Sequence, residues 1–90
     1  MLYLVIEKYK DENPVPVYRR FRAQGRRMPD GLRYVSSWVN ESITRCYQIM
    51  ETDHYGLLEE WMKNWDDIVE FEVLPVLTSE EASRKMAPHL

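Results

Sequence analysis

Residues 53–65 read DHYGLLEEWMKNW, and this stretch decides the fold. At about 100° per residue, Leu57, Leu58, Trp61, Met62 and Trp65 fall in one arc, with Glu59, Glu60, Lys63 and Asn64 opposite. The spacing predicts an amphipathic helix capped by Thr52 or Asp53 and ended by Asp66-Asp67. Its apolar stripe is bulky. Two Trp and one Met need a broad partner surface, and in a chain of 90 residues that surface is a sheet.

The flanks supply the strands. Leu32–Val39 (LRYVSSWV) and Arg45–Glu51 (RCYQIME) are joined by the short polar loop 40–44 and make a hairpin. Val69–Leu77 (VEFEVLPVL) follows the helix; Pro75 cannot donate to a ladder, so this strand belongs at an edge. Leu2–Tyr9 is apolar on both faces, as a strand buried on both sides would be. Between it and the hairpin, Asn13-Pro14 starts a helix that runs to about Arg27, with Val17, Phe21 and Met28 along one line. Met28-Pro29-Asp30-Gly31 reads as a turn. Thr78 with Glu81 makes a capping box, so residues 79–90 form a short helix or a frayed tail stopped by Pro88. The order β-α-β-β-α-β predicts an α+β, ferredoxin-like domain over residues 1–90, a four-stranded antiparallel sheet with two helices on one face. That leaves the other face bare, although the strands carry apolar residues on both: Leu4 and Val5, Val35 and Trp38, Tyr47 and Met50, Val73 and Leu74. Such a face exceeds the roughly 300–600 Å² patch normal for a monomer. A second copy, sheet to sheet, is the simplest cover, so a homodimer is expected.

Composition narrows the classes. The formal charge is −3, which argues against nucleic acid, and no apolar run approaches the ~20 residues of a membrane span. The amino terminus lacks a basic start and a small-residue cleavage site, so it reads as a strand and not a signal peptide. One cysteine excludes an internal disulfide and fits a reducing, cytoplasmic setting. With two His and one Cys, no metal is expected, and no motif calls for a cofactor.

Several strings resemble a known family: SWV at residues 37–39, RCYQIME at 45–51, EEW to WDD across 59–67, and FEVLPVLTS at 71–79. Together they resemble an uncharacterised bacterial domain-of-unknown-function family of the dimeric α+β barrel superfamily, over residues 1 to about 81. The resemblance implies a ferredoxin-like protomer and a dimer closed through the sheets, with no assigned activity. Better-known members of the superfamily include cofactor-independent monooxygenases, haem-degrading oxygenases, muconolactone isomerases and stress-responsive proteins. The haem-degrading type carries an Asn on the first strand and a His after the helical Trp. Here LYLVIEKY has no Asn, and no His follows Trp65 before His89. No catalytic residue is carried over.

The candidate site residues are polar or aromatic groups on strands that otherwise read as buried. In the ferredoxin-like order the first strand lies between the third and fourth, so Glu7 and Gln48 become neighbours. A buried carboxylate must be paired or its pKa rises; the bland alternative is a strand-end Glu7 in water. Alternation puts Glu7, Ser37 and Gln48 in one polar cluster, and Trp38 with Tyr47 on the opposite, aromatic face. There the two can line a pocket for a flat ligand, or simply pack. Arg45 opens its strand beside these aromatics and can hold a ligand carboxylate. His54 falls in the apolar arc of the helix at its first turn, where imidazolium is disfavoured. Arg19, Arg22 and Arg26 share the outer face of the first helix, a solvated face balanced by acidic residues of the second. Cys46 reads as an inert core thiol. Two functions fit: a homodimer that binds a small molecule such as an aromatic ligand or serves in stress response, or a cofactor-independent monooxygenase or isomerase acting on an aromatic or polyketide-like substrate.

Overall fold

The computed structural model describes all 90 residues. Strand β1 spans Leu2–Tyr9, helix α1 Val15–Gln24, strands β2 and β3 Arg33–Val39 and Arg45–Glu51, helix α2 Tyr55–Lys63, strand β4 Val69–Val76 and helix α3 Ser79–Met86. Short 3₁₀ turns follow β1 and α3. The sheet is antiparallel with strand order β2-β3-β1-β4, the ferredoxin-like arrangement. Pro75 therefore lies on an edge strand, where its missing N–H does least harm. No helix is long and apolar enough to cross a membrane.

The register divides the side chains between two faces. Val5 sits opposite Gln48 and Val73, Glu7 opposite Cys46 and Phe71, and Tyr9 opposite Val69. These residues face α2, whose Leu58 and Trp61 are buried against them. Val5, Met50, Leu58, Trp61 and Val69 form the driest part of the core. Leu57 and Met62 flank it, so the apolar arc read from the sequence is the buried face. The helix itself is shorter than its spacing predicts. His54, not Thr52 or Asp53, is the cap residue, and its backbone N–H donates to Thr52 Oγ1 at 3.1 Å. After Lys63 the backbone tightens into bonds from Asn64 to Trp61 and from Trp65 to Met62, of the 3₁₀ type, and this turn carries Trp65 into the core.

Helix α1 departs further from expectation. It stops at Gln24 because Gly25, at φ +68°, turns the chain out of the helix while its N–H still bonds Phe21 O. Only Val17 is buried; Tyr18 and Phe21 remain almost half exposed. Phe21 is therefore not a core residue. A guanidinium–carboxylate fork, Arg20 on Asp67 with two bonds of 2.7 Å, ties α1 to the turn after α2. Arg20 also donates to Asn64 O at 2.8 Å. The helix is thus pinned at one side and stands off the sheet at the other. In the turn that follows, Gly31 has φ +92°, and a Cβ there would lie 2.8 Å from Leu57 Cδ1, so any side chain is strained in its backbone and displaces the Leu57 tip.

Two features lie outside the core. The second sheet face carries Leu2, Leu4, Ile6, Trp38, Tyr47, Ile49, Leu74 and Val76, uncovered by any element of the chain; Trp38 is 72% exposed. Helix α3 has the expected capping box, with Thr78 Oγ1 accepting from the Glu81 N–H at 3.1 Å and Thr78 N–H donating to Glu81 Oε1 at 3.2 Å. None of its residues is buried.

Candidate functional site

The gap beneath α1 is a cleft of about 140 Å³. The sheet forms its floor with Glu7 and Tyr9 of β1, Cys46 and Gln48 of β3, and Ser37 and Val39 of β2. Helix α1 forms its roof with Val17, Tyr18 and Phe21, and Trp61, Trp65 and Arg26 close the remaining side. The space exists because α1 ends early and packs through one residue, while the bulky α2 stripe fills only the other half of the sheet face.

At the centre is a buried polar pair. Gln48 Nε2 donates to Glu7 Oε2 at 2.7 Å, and both side chains are at least 94% removed from solvent. They lie diagonally across β1 and β3, on the face shared by the pairs Val5–Gln48 and Glu7–Cys46. Burial pushes the Glu7 carboxyl above its ordinary value; the hydrogen bonds from Gln48 and Cys46 and the charge of Arg26 pull the other way and do not cancel it. Gln48 Oε1 is buried and accepts no hydrogen bond from the chain. A buried amide oxygen left this way costs about 1–3 kcal/mol, so a residue of the cleft wall carries an acceptor that favours a donor.

The neighbours are held neutral. Burial, then the Glu7 charge, pushes the Cys46 thiol up to about 12, so it is no thiolate near neutrality. Burial also raises the Tyr9 hydroxyl. Ser37 reaches the same face as Tyr34 because β2 carries a bulge: Tyr34 pairs with Met50 but Ser36 with Ile49, so Val35 is an extra residue. The Tyr34 and Ser37 hydroxyl oxygens are 2.6 Å apart. No group of three or more His, Cys, Asp or Glu side chains converges to hold a metal ion.

Of the residues singled out from the sequence, Glu7, Ser37 and Gln48 come together at the cleft. Trp38, Tyr47 and Arg45 do not reach it. Strand alternation sends them to the uncovered sheet face, where Arg45 shares a shallow surface dent with Lys8, Glu70 and Glu72. His54 is exposed at the start of α2, its backbone extended and its carbonyl bonded by Leu57 N–H at 3.0 Å; it lies outside the cleft because the helix begins one residue after it. Arg26 is the residue missed. Read as part of a solvated helix face, it lies past the end of α1, partly buried, with its guanidinium 3.9 Å from the Tyr34 ring centroid. Gly25 was the available signal, since glycine just beyond a helical stretch marks its C-terminus.

The whole chain, residues 1–90, matches DUF3303, a domain of unknown function. The chain belongs to this family. No curated protein matches this DUF3303 chain. Among solved structures, the crystal structure of protein Atu4242 from Agrobacterium tumefaciens is similar in fold. It has a TM-score of 0.51 and 13% identity, with 88% of this chain and 96% of that one covered. At that identity the likeness extends to the backbone arrangement alone. The DUF3303 cleft must be read from its own residues.

Proposed function

We propose that this chain is a homodimeric, small-molecule-binding protein of the cell interior whose ligand occupies the cleft beneath α1. The observation that carries the reading is Gln48 Oε1, an unpartnered acceptor on a side chain 5% exposed, set beside a desolvated carboxyl in an otherwise aromatic-walled cleft. Such a place, apolar with a few convergent polar groups and a perturbed acid, is the usual form of a ligand site. Its volume suits one ring. A thermal-shift screen of small aromatic metabolites tests it: a ligand at a hundred times its Kd stabilises by about 2.7 kcal/mol. Gln48→Leu, which removes the free acceptor, should weaken any such ligand tenfold or more. If no ring compound moves the melting temperature of the parent at millimolar concentration, the reading fails.

The dimer is supported by surface. The chain exposes 6329 Å², against roughly 5,600 Å² for a compact monomer of its mass. The excess is on the order of one partner's ~800 Å² share of a standard interface. The uncovered sheet face supplies the apolar centre of such an interface, and Lys8 and Arg45 beside Glu70 and Glu72 at one end supply a charged rim that a two-fold axis can pair with itself. The lone buried thiol Cys46 suits a reducing compartment.

A second reading is favoured by Glu7. A carboxyl raised by burial and open to a cleft is equipped for general acid–base work, as in a cofactor-independent isomerase or oxygenase. Glu7→Gln separates the two: a binder retains its ligand, whereas an isomerase keeps binding and loses turnover.

A further inference from the structure

The chain invests heavily in placing Arg26. Its backbone carbonyl accepts from Trp61 Nε1 at 2.8 Å and from Trp65 Nε1 at 3.1 Å, so both large rings of the α2 segment spend their only donors on one atom. The residues either side are held at positive φ, Gly25 at +68° and Arg27 at +59°. For arginine that conformation is uncommon and costs strain. The guanidinium then lies over Tyr34 and 5.2 Å from the centroid of Phe21.

The cation so placed acts on Glu7 and Cys46 through its field alone, and no group of the chain bonds it. Arg20 and Arg33 each hold a carboxylate, Asp67 and Glu51 respectively. Arg26 forms no ion pair. A cation held 3.9 Å from the Tyr34 ring centroid, with no side-chain hydrogen bond to the chain, keeps its N–H donors for a ligand, and a guanidinium fork is suited to gripping a carboxylate. At the opposite end of polarity stands Gln48 Oε1, which needs a donor. Both line one cleft of about 140 Å³, close to the ~150 Å³ in which a benzene ring is held.

We infer that the ligand of this cleft is a monocyclic aromatic acid, its carboxylate on the Arg26 fork, its ring among the aromatic walls, and a hydroxyl or amino donor directed to Gln48 Oε1. This deepens the reading of the cleft as a ligand site and takes that reading as given. It also explains the two indole bonds. They fix the backbone of Arg26 independently of its side chain, so the anchor is preorganised and binding does not have to order it.

The probes are 2-, 3- and 4-hydroxybenzoate, each against its methyl ester, titrated by calorimetry into the full chain. At least one acid should bind ten times or more tighter than its ester. Arg26→Gln should bring that ratio to within about twofold, and Arg26→Lys should keep part of it, because a point charge replaces a fork. Melting curves of both variants show whether they fold; the acid-to-ester ratio of the parent chain decides the matter even if they do not. Esters that bind as well as every acid overturn the carboxylate anchor and leave the cleft as a site for neutral rings. If neither acids nor esters bind, the cleft reading and the anchor fall together.

Discussion

Glu7 is the residue whose cost the fold carries. Its carboxyl titrates above the ordinary value of 4.5 because it is buried. For an acid raised in the folded state, the favourable contribution is complete below the unfolded value and is lost as pH rises through the folded one. Glu7→Gln, which keeps an acceptor for Gln48 Nε2, should therefore melt higher than the parent at about pH 7, and the gap should close towards about pH 4. Melts across that range check it; a gap independent of pH would show that Glu7 is not strained by burial. Asp67 works the other way. The Arg20 fork pulls it from 3.8 to about 2, so its contribution is present above the former value and fades as pH falls towards the latter. The pair Glu7–Gln48 was legible in the sequence because strand alternation and the ferredoxin-like order leave it only one face to share. Arg26 was not, because its place depends on where α1 stops and on the bulge at Val35 that turns Tyr34 inward.

At the level of elements, α2 is the part on which the others depend. Trp61 is 1% exposed, meets Phe71 edge-on with ring centroids 5.5 Å apart, and bonds the Arg26 carbonyl. Trp61→Ala removes ring and donor together and should cost about 3–5 kcal/mol. For a domain of this size that is a drop of roughly 12 °C or more in Tm. A variant melting within a degree of the parent would mean the helix face does not bear on the sheet as described. The boundaries of β1 and β3 agree with the strands expected from the sequence, since a strand in the middle of a sheet carries apolar residues on both faces. Helix α1 was overread. Its apolar line Val17, Phe21, Met28 has the right period, but period says nothing of how closely a helix packs, and this one is pinned through Arg20 and held off elsewhere. The capping box of α3 was legible because it is local, three residues apart; that the helix would stand clear of the core was not, since its own residues give no partner.

The whole molecule is long for its length of chain. It measures 48 × 30 × 17 Å with a radius of gyration of 14.9 Å, where a compact chain of this length has roughly 12 Å. One layer of sheet with helices on a single side, plus a projecting α3, accounts for the shape. Light scattering at micromolar concentration should return twice 10.9 kDa, and Trp38→Asp, at the most exposed ring of the bare sheet face, should return the single mass or drive aggregation. A parent chain that stays monomeric and soluble would overturn the sheet-to-sheet dimer. The division of the three tryptophans has a consequence for how the protein can be watched. Two indoles border the cleft, buried and hydrogen-bonded, and the third lies on the far side of the sheet, exposed in the single chain and covered when two copies join as proposed. Their emission is therefore separable into a blue component that answers to the cleft and a red component that grows as the sheet face opens. A Trp38→Phe chain would report occupancy alone. Dilution of the parent, by the red component alone, would report the parting of two copies, and the two events can be followed in one cuvette without a label.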